Sequence, residues 1–309
     1  MQIKQDHWRA LGKLNSRASN QRNPDRWVSP SIDAITCVCA FTSATRAGEF
    51  SPDSARASAV NALAGAIAVR LGVRLAPCIE WDGPITTAGT VESGAIIIAS
   101  NAARAVFAVE HMPSAAHVWW YEAYDDDTRA GAAALRYWRS WRISSAISTA
   151  EWAVRRGVAS VPRIGVSPGV LPPTAKAQYD VLVIAPSGDN TAIEFHDKIR
   201  ERGATAHLIT MPCSTVELLT ASVAARCVAC PGAAGEWTAT ALKAGLTGRV
   251  PVFGPENDPA YVMDIALRPY ARAELVASSH RARALESTIE QVTALLIGQI
   301  TGEQNGING

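Results

Sequence analysis

Long apolar runs are missing from this chain. Its most apolar stretches, such as Ala62–Ala68 and Ala294–Ile297, fall far short of the ~20 residues that a membrane span requires. The first thirty residues carry Arg and Lys but no continuous apolar core, so no secretory leader is expected. Cysteine is sparse: six in 309 residues do not make a disulfide framework. Without an export signal the thiols are expected to be reduced, in a cytoplasm. A dominant charge is missing too. Lys and Arg number 29 against 28 Asp and Glu, a formal net charge of +1. That excludes a globally basic nucleic-acid binder but leaves room for a local basic patch. Neither Gly-x-Gly-x-x-Gly nor a Walker phosphate loop occurs.

What is present is ordinary globular composition, 48% hydrophobic and 18% charged. Wholesale disorder, a collagen-like chain and a coiled coil are therefore excluded. The length suits two domains or one large one, with enough chain to bury a sizeable core.

Residues 1–33 form a polar arm in which Lys4, Arg9, Lys13, Arg17, Arg22 and Arg26 oppose only Asp6, Asp25 and Asp33. One reading is a solvated tail that docks Trp8 and Trp27 on the body. The other is an arm that contacts nucleic acid through Arg17, Arg22 and Arg26.

After Asp33 short apolar runs alternate with helical stretches. Strands are expected at Ala34–Ala40, Val73–Ile79, Ala95–Ala99, Val106–Val109, Val118–Tyr121, Ile143–Ile147 and Arg163–Val166. Helices are expected around Val60–Leu71, Ala132–Trp141 and Thr149–Arg156. Ser167–Thr174 is rich in proline and reads as a linker, because X-Pro steps resist helix. The alternation then restarts. Strands are expected at Val181–Ala185, Ala206–Thr210, Arg226–Cys230 and Val250–Phe253. Helices are expected at Thr191–Arg202, Ser214–Ala224 (capped by Ser214), Glu236–Ala244, Pro259–Leu267 and Ala273–Ile300. Such alternation means right-handed βαβ units and parallel sheets. The expected fold is α/β, with two Rossmann-like βαβ domains facing a cleft. The expected divisions are a basic arm at 1–33, a first domain at 34–170 and a second at 171–272. A C-terminal helix at 273–300 packs back on the first domain, and 301–309 is a tail.

In open parallel sheets ligands bind beyond the carboxyl ends of the strands. Pro186-Ser-Gly-Asp-Asn-Thr191 follows a strand and opens a helix. Its backbone N–H groups can hold a phosphate, or Asn190 or Asp189 can cap the helix in an ordinary turn. Cys230-Pro-Gly-Ala-Ala-Gly-Glu-Trp-Thr238 has the same placement, with glycines that let a ligand approach the backbone and Glu236 to accept from sugar hydroxyls. Its alternative is a plain turn in which Glu236 balances the helix dipole. Cys227-Val-Ala-Cys230 and Cys37-Val-Cys39 read as structural cysteines; zinc would need a second pair of ligands. Trp119-Trp-Tyr-Glu-Ala-Tyr-Asp-Asp-Asp127 places Glu122 and Asp125 just past a strand end, with His111 and His117 nearby. These carboxylates are either an acidic surface loop or a source of general base.

The segments Ile143-Ser-Ser-Ala-Ile-Ser148 … Gly157 … Val161-Pro-Arg-Ile-Gly-Val-Ser-Pro-Gly-Val170 resemble the end of the first domain in glycosyltransferases of the GT-B fold. Ala225-Arg-Cys-Val-Ala-Cys-Pro-Gly … Glu236 … Ala244-Gly … Gly248-Arg-Val-Pro-Val252 resembles their donor region, and Arg56–Leu75 the helix and strand after their first loop. Lys243 stands near the position of that family's distal Glu. No Arg or Lys in Ser187–Thr191 matches its diphosphate clamp, and the first loop, Phe41–Asp53, lacks a glycine cluster.

The resemblance implies transfer of a sugar from a nucleotide-diphosphate donor, a UDP-sugar being the first choice, to an acceptor hydroxyl. Modified DNA is one candidate acceptor. It also implies no tightly bound cofactor and no metal. The donor would meet Ser187, Gly188, Asn190, Gly232, Glu236 and Thr238. The acceptor side would hold Thr42, Ser43, Ser100 and Asn101. For an inverting transfer the general base is sought first at Glu122, then Asp125, with His111 in reserve; a retaining enzyme would use these only to position the acceptor. Two other readings stand beside this one: a non-catalytic nucleotide-binding or interaction protein on the same scaffold, and another nucleotide-dependent Rossmann enzyme, such as a deoxyribosyltransferase-like protein.

Overall fold

A computed structural model of the chain describes residues 32–46, 48–80, 91–121, 129–140, 142–148, 160–162, 176–232, 238–239, 242, 250–267, 277 and 289–301. Arg17, Arg22, Arg26, Glu122, Asp125, Glu236, the proline-rich linker, the helix expected at Thr149–Arg156 and the strand expected at Arg163–Val166 lie outside those residues. Two compact units account for the chain. One holds the described residues of 1–44, 57–164 and 289–309; the other holds those of 45–56 and 165–288.

The first unit starts with β1 (Cys37–Thr42), buried along its whole length. α1 (Pro52–Leu71) follows, and its buried stripe of Val60, Leu63, Ala64 and Ile67 has helical spacing. The unit boundary falls within this helix, after Arg56. The strand expected over Val73–Ile79 is split into β2 (Arg74–Leu75) and β3 (Ile79–Glu80), both paired with β1. Ala76 still donates to Val38 O at 2.8 Å. Pro77 has no N–H to continue the ladder, so pairing lapses there.

β4 (Ala95–Ala99) is an unbroken Ala-Ile-Ile-Ile-Ala run with every residue buried, as a strand covered on both faces requires. It is followed by α2 (Ala102–His111), β5 (His117–Tyr121), α3 (Arg129–Arg139), β6 (Ser145–Ser148) and β7 (Ser160–Pro162). All pairings are parallel, in the order β2/β3–β1–β4–β5–β6–β7. The expectation of a strand at Val106–Val109 is corrected: these residues belong to α2. Asn101 caps that helix, and Ala102, Ala105, Ala108 and Val109 form its buried stripe. Four apolar residues alone do not distinguish strand from buried helix, whereas the 3–4 spacing of the alanines does. One face of the sheet packs Phe41, Ile97, Ala99, Val118 and Trp120 against α2 and against Ala134 and Trp138 of α3.

The second unit contains β8 (Tyr179–Pro186), α4 (Asn190–Glu201), β9 (Ala206–Met211), α5 (Thr215–Val223), β10 (Ala225–Ala229), β11 (Val252–Phe253) and α6 (Pro259–Leu267). Its sheet is parallel, in the order β9–β8–β10–β11. Val181, Val183, Cys227 and Phe253 pack against Phe195 and Ile199 of α4 and Val262 and Ile265 of α6. Ser214 occupies the N-cap position of α5, but its side chain makes no capping bond. The first amide of that helix, Thr215 N, instead donates to Gly48 O at 2.9 Å. Beside it Glu49–Phe50 pairs antiparallel with Cys213–Ser214. Residues 45–56, assigned by sequence order to the first domain, therefore fold with the second unit. The final helix, α7 (Ile289–Thr301), groups with the first unit, where it contacts β7 and buries Val292 and Leu296.

Candidate functional site

Strand order decides where each sheet can hold a ligand. In the first unit β1 lies between the split strand β2/β3 and β4, and in the second β8 lies between β9 and β10. Right-handed crossovers then send the helices after neighbouring strands to opposite faces, opening a crevice at the carboxyl ends between them. The two crevices lie beyond β1 and β4 in the first unit and beyond β8 and β10 in the second.

In the first unit this switch point collects Thr42 and Ser43 after β1, and Ser100 and Asn101 after β4. Ser100 N donates to Phe41 O at 2.9 Å and ties the two strand ends together. Thr42, Ser43 and Ser100 are buried polar residues in a layer otherwise given to apolar side chains. Thr42 Oγ1 donates to Ser43 O at 3.2 Å and lies 3.3 Å from Cys78 Sγ. Asn101 Oδ1 accepts from Arg104 N at 2.9 Å, closing the first turn of α2. The four acceptor-side residues inferred from the sequence thus belong to one constellation. The amide that Asn101 accepts from is that of Arg104, whose side chain is buried on the same first turn. Sequence reasoning passed over it, because the strand expected at Val106–Val109 hid the helix whose first turn it occupies, and its burial leaves no mark in the sequence.

In the second unit Ser187, Gly188 and Asn190 follow β8, and Gly232 follows β10. The side chain between them is Asp189. Its Oδ1 accepts from Thr191 N at 2.9 Å and Ala192 N at 3.3 Å. Its other oxygen abuts Gly232, where an added Cβ would collide with the carboxylate. Gly232 also has φ +84°, a conformation that glycine alone adopts without strain. Two amides at the start of α4, Thr191 N and Ala192 N, are therefore engaged by the chain's own carboxylate, the Asp189 cap that the sequence offered as the alternative to a phosphate. Thr238 is buried, in a helical stretch beyond Gly232.

His111 is not brought to either crevice. It ends α2, is exposed, and stacks on Phe107 with ring centroids 4.3 Å apart. α2 begins at the strand carboxyl ends and runs back for ten residues, about 15 Å, so His111 belongs to the opposite end of the sheet. His117 opens β5 at that same end, buried, with Nδ1 3.1 Å from Ser144 Oγ. Burial pulls its pKa down to about 4, so it stays neutral at ordinary pH.

Cys39 and Cys227 are not activated. Burial, aided by neighbouring Cys78, pushes the Cys39 thiol up to about 11. Burial and then the Asp180 charge push Cys227 higher still, the reverse of what a nucleophile needs. Among the described residues no group of three or more His, Cys, Asp or Glu could hold a metal ion, and no helix is long and apolar enough to cross a membrane. No known protein family matches this chain, and no curated protein does.

Proposed function

We propose that the chain is a GT-B-like glycosyltransferase that moves a sugar from a nucleotide-diphosphate donor, a UDP-sugar first, to an acceptor hydroxyl. One observation carries the reading. Two parallel α/β units, each with a strand-end switch point, are completed by a last helix, α7, that groups with the first of them. That arrangement agrees with the motif order from Ile143 to Val252.

In this reading the nucleotide lies at the strand ends of the second unit. Gly188 and Gly232 admit it close to the backbone, and Glu236 accepts from its hydroxyls. The acceptor meets Thr42, Ser43, Ser100 and Asn101. Glu122, just past β5, takes the proton of the attacking hydroxyl, with Asp125 as its substitute. Modified DNA is an acceptor of this class, held through Arg17, Arg22 and Arg26. The protein's share of the catalysis is positioning and electrostatic stabilisation.

A second reading, a nucleotide-binding protein without transfer, is favoured by the cap itself: Asp189 already occupies amides that a diphosphate would use. Thermal-shift titration with UDP, GDP, ADP and their sugars, followed by donor hydrolysis and transfer assays on any hit, separates the two. Glu122→Gln keeps shape and removes basicity. It should lower turnover by roughly 10²–10⁴-fold while sparing donor binding; wild-type turnover would remove Glu122 from the mechanism.

A further inference from the structure

The two faces of α3 differ in kind. Gly131, Ala134 and Trp138 make its buried stripe. Arg129, Arg136 and Arg139 fall on the opposite side, within an arc of about 80° at helical spacing, and all three are exposed. From Arg129 to Arg139 the stripe runs about 15 Å along the helix. Arg142, also exposed, follows just past the last turn. Residues 129–142 contain neither an acid nor a lysine. Asp125–Asp127 precede them in sequence and lie outside the described residues.

Among the described residues no ion pair involves any of these four arginines. Glu110, on the neighbouring α2, instead accepts from the Tyr137 hydroxyl at 2.6 Å. Arg142 lies 5.0 Å over the Tyr137 ring and donates to Val109 O at 2.9 Å. The Tyr137 hydroxyl is raised above its ordinary range, first by its bond to Glu110, while the charges of Arg142 and Arg136 pull it the other way. Two guanidiniums therefore gather about one ring. Helix stability does not account for the set. Cations in the last turn suit the helix dipole, which covers Arg136 and Arg139, but Arg129 opens the first turn, where a cation is disfavoured. Arg136 and Arg139 also stand one turn apart, where like charges repel.

We propose that the exposed face of α3 binds the phosphate backbone of double-stranded DNA. One strand of a duplex offers a phosphate every ~3.4 Å of axis, so a stripe of this length meets about four, one for each arginine. A guanidinium fork takes two oxygens of a phosphate at once, which the ammonium of lysine does not. Ala132, Ala133 and Ser140 lie between the arginines on the same side, and side chains this short let a backbone come close. The stripe is too long for a single small phosphate. A bilayer finds nothing to take in, because Ala134 and Trp138 are spent on the core. Contacts of this kind go to the backbone, so binding tolerates changes of sequence. The surface is distinct from the arm at residues 1–33 and does not rest on the glycosyl-transfer reading.

The test is fluorescence anisotropy of the full chain with short labelled duplexes of two unrelated sequences, over a series of salt concentrations. Both duplexes should bind alike, and log affinity should fall linearly with log salt. Arg136→Gln and Arg139→Gln should each reduce that slope by about 0.9 and weaken both duplexes equally. Arg200→Gln removes the same charge from an exposed position on α4 in the other unit and should leave the slope unchanged. All three positions are exposed, so the fold should survive each change; circular dichroism checks that it does. No salt-dependent binding by the full chain overturns the surface, and so do slopes in Arg136→Gln and Arg139→Gln equal to that in Arg200→Gln. Competition by poly-glutamate as strong as by unlabelled duplex would make an acidic protein the occupant and overturn DNA. Failure of sugar transfer leaves the result untouched, because no sugar enters the measurement.

Discussion

Gly232 and His117 each turn a single atom's surroundings into a measurable property. Gly232→Ala forces a Cβ against the Asp189 carboxylate at a backbone angle that disfavours side chains. It should cost roughly 1–3 kcal/mol in urea unfolding and weaken nucleotide binding along with stability. A variant as stable as wild type would show that the turn relaxes freely. His117 reports on pH. Unfolded, its imidazole titrates near ~6.5; folded, burial holds it down to about 4. Between those values the unfolded chain takes up a proton that the folded chain refuses. The stability that His117 permits is therefore intact above ~6.5 and declines as pH falls toward 4, by up to ~1.4 kcal/mol per pH unit. His117→Asn should flatten the difference between urea midpoints at pH 7 and pH 5; parallel profiles for the two proteins would contradict the account.

Among the elements, α4 depends on one capping carboxylate. Asp189→Ala removes both of its bonds to the first turn and should cost about 1 kcal/mol, while giving back amides for an anion. If the diphosphate reading of that turn has merit, UDP binding should tighten in Asp189→Ala as stability falls; a variant that loses both would make Asp189 a direct ligand contact. Elements with strong local signals were legible in the sequence. Ala95–Ala99 and Pro259–Leu267 have the expected bounds, because an unbroken apolar run and an Asp-Pro start leave little ambiguity. Val106–Val109 was not legible as helix, since its alanine stripe extends past the window that suggested a strand. Ser214 has the right type and place for a cap, yet Gly48 O takes the amide from a distant part of the chain. No local pattern encodes that bond. At the sites, serines and asparagine past strand ends were readable from topology, whereas Arg104 needed its burial to be known.

For the whole molecule, the division into units is written in long-range pairings more than in linkers. A two-residue antiparallel pairing and one capping bond join residues 45–56 to the second unit, and neither leaves a periodic trace. α7 gives the complementary test. Val292 and Leu296 are fully buried, and burying such side chains contributes ~1.5–3 kcal/mol each. Deleting residues 289–309 should lower the stability of the first unit by several kcal/mol. Hydrogen exchange should then show β4 amides losing protection while β8 amides keep theirs; equal loss in both sheets would mean that the units do not unfold separately.

The interleaving of segments also bears on synthesis at the ribosome. β1 and β4 emerge early, but the helix that covers β7 is translated only after the whole of the second unit. The second unit needs only residues 45–56, already made, to be complete. The half of the protein begun first is thus the last to be finished, and its nascent sheet waits with one flank uncovered for more than a hundred residues of translation.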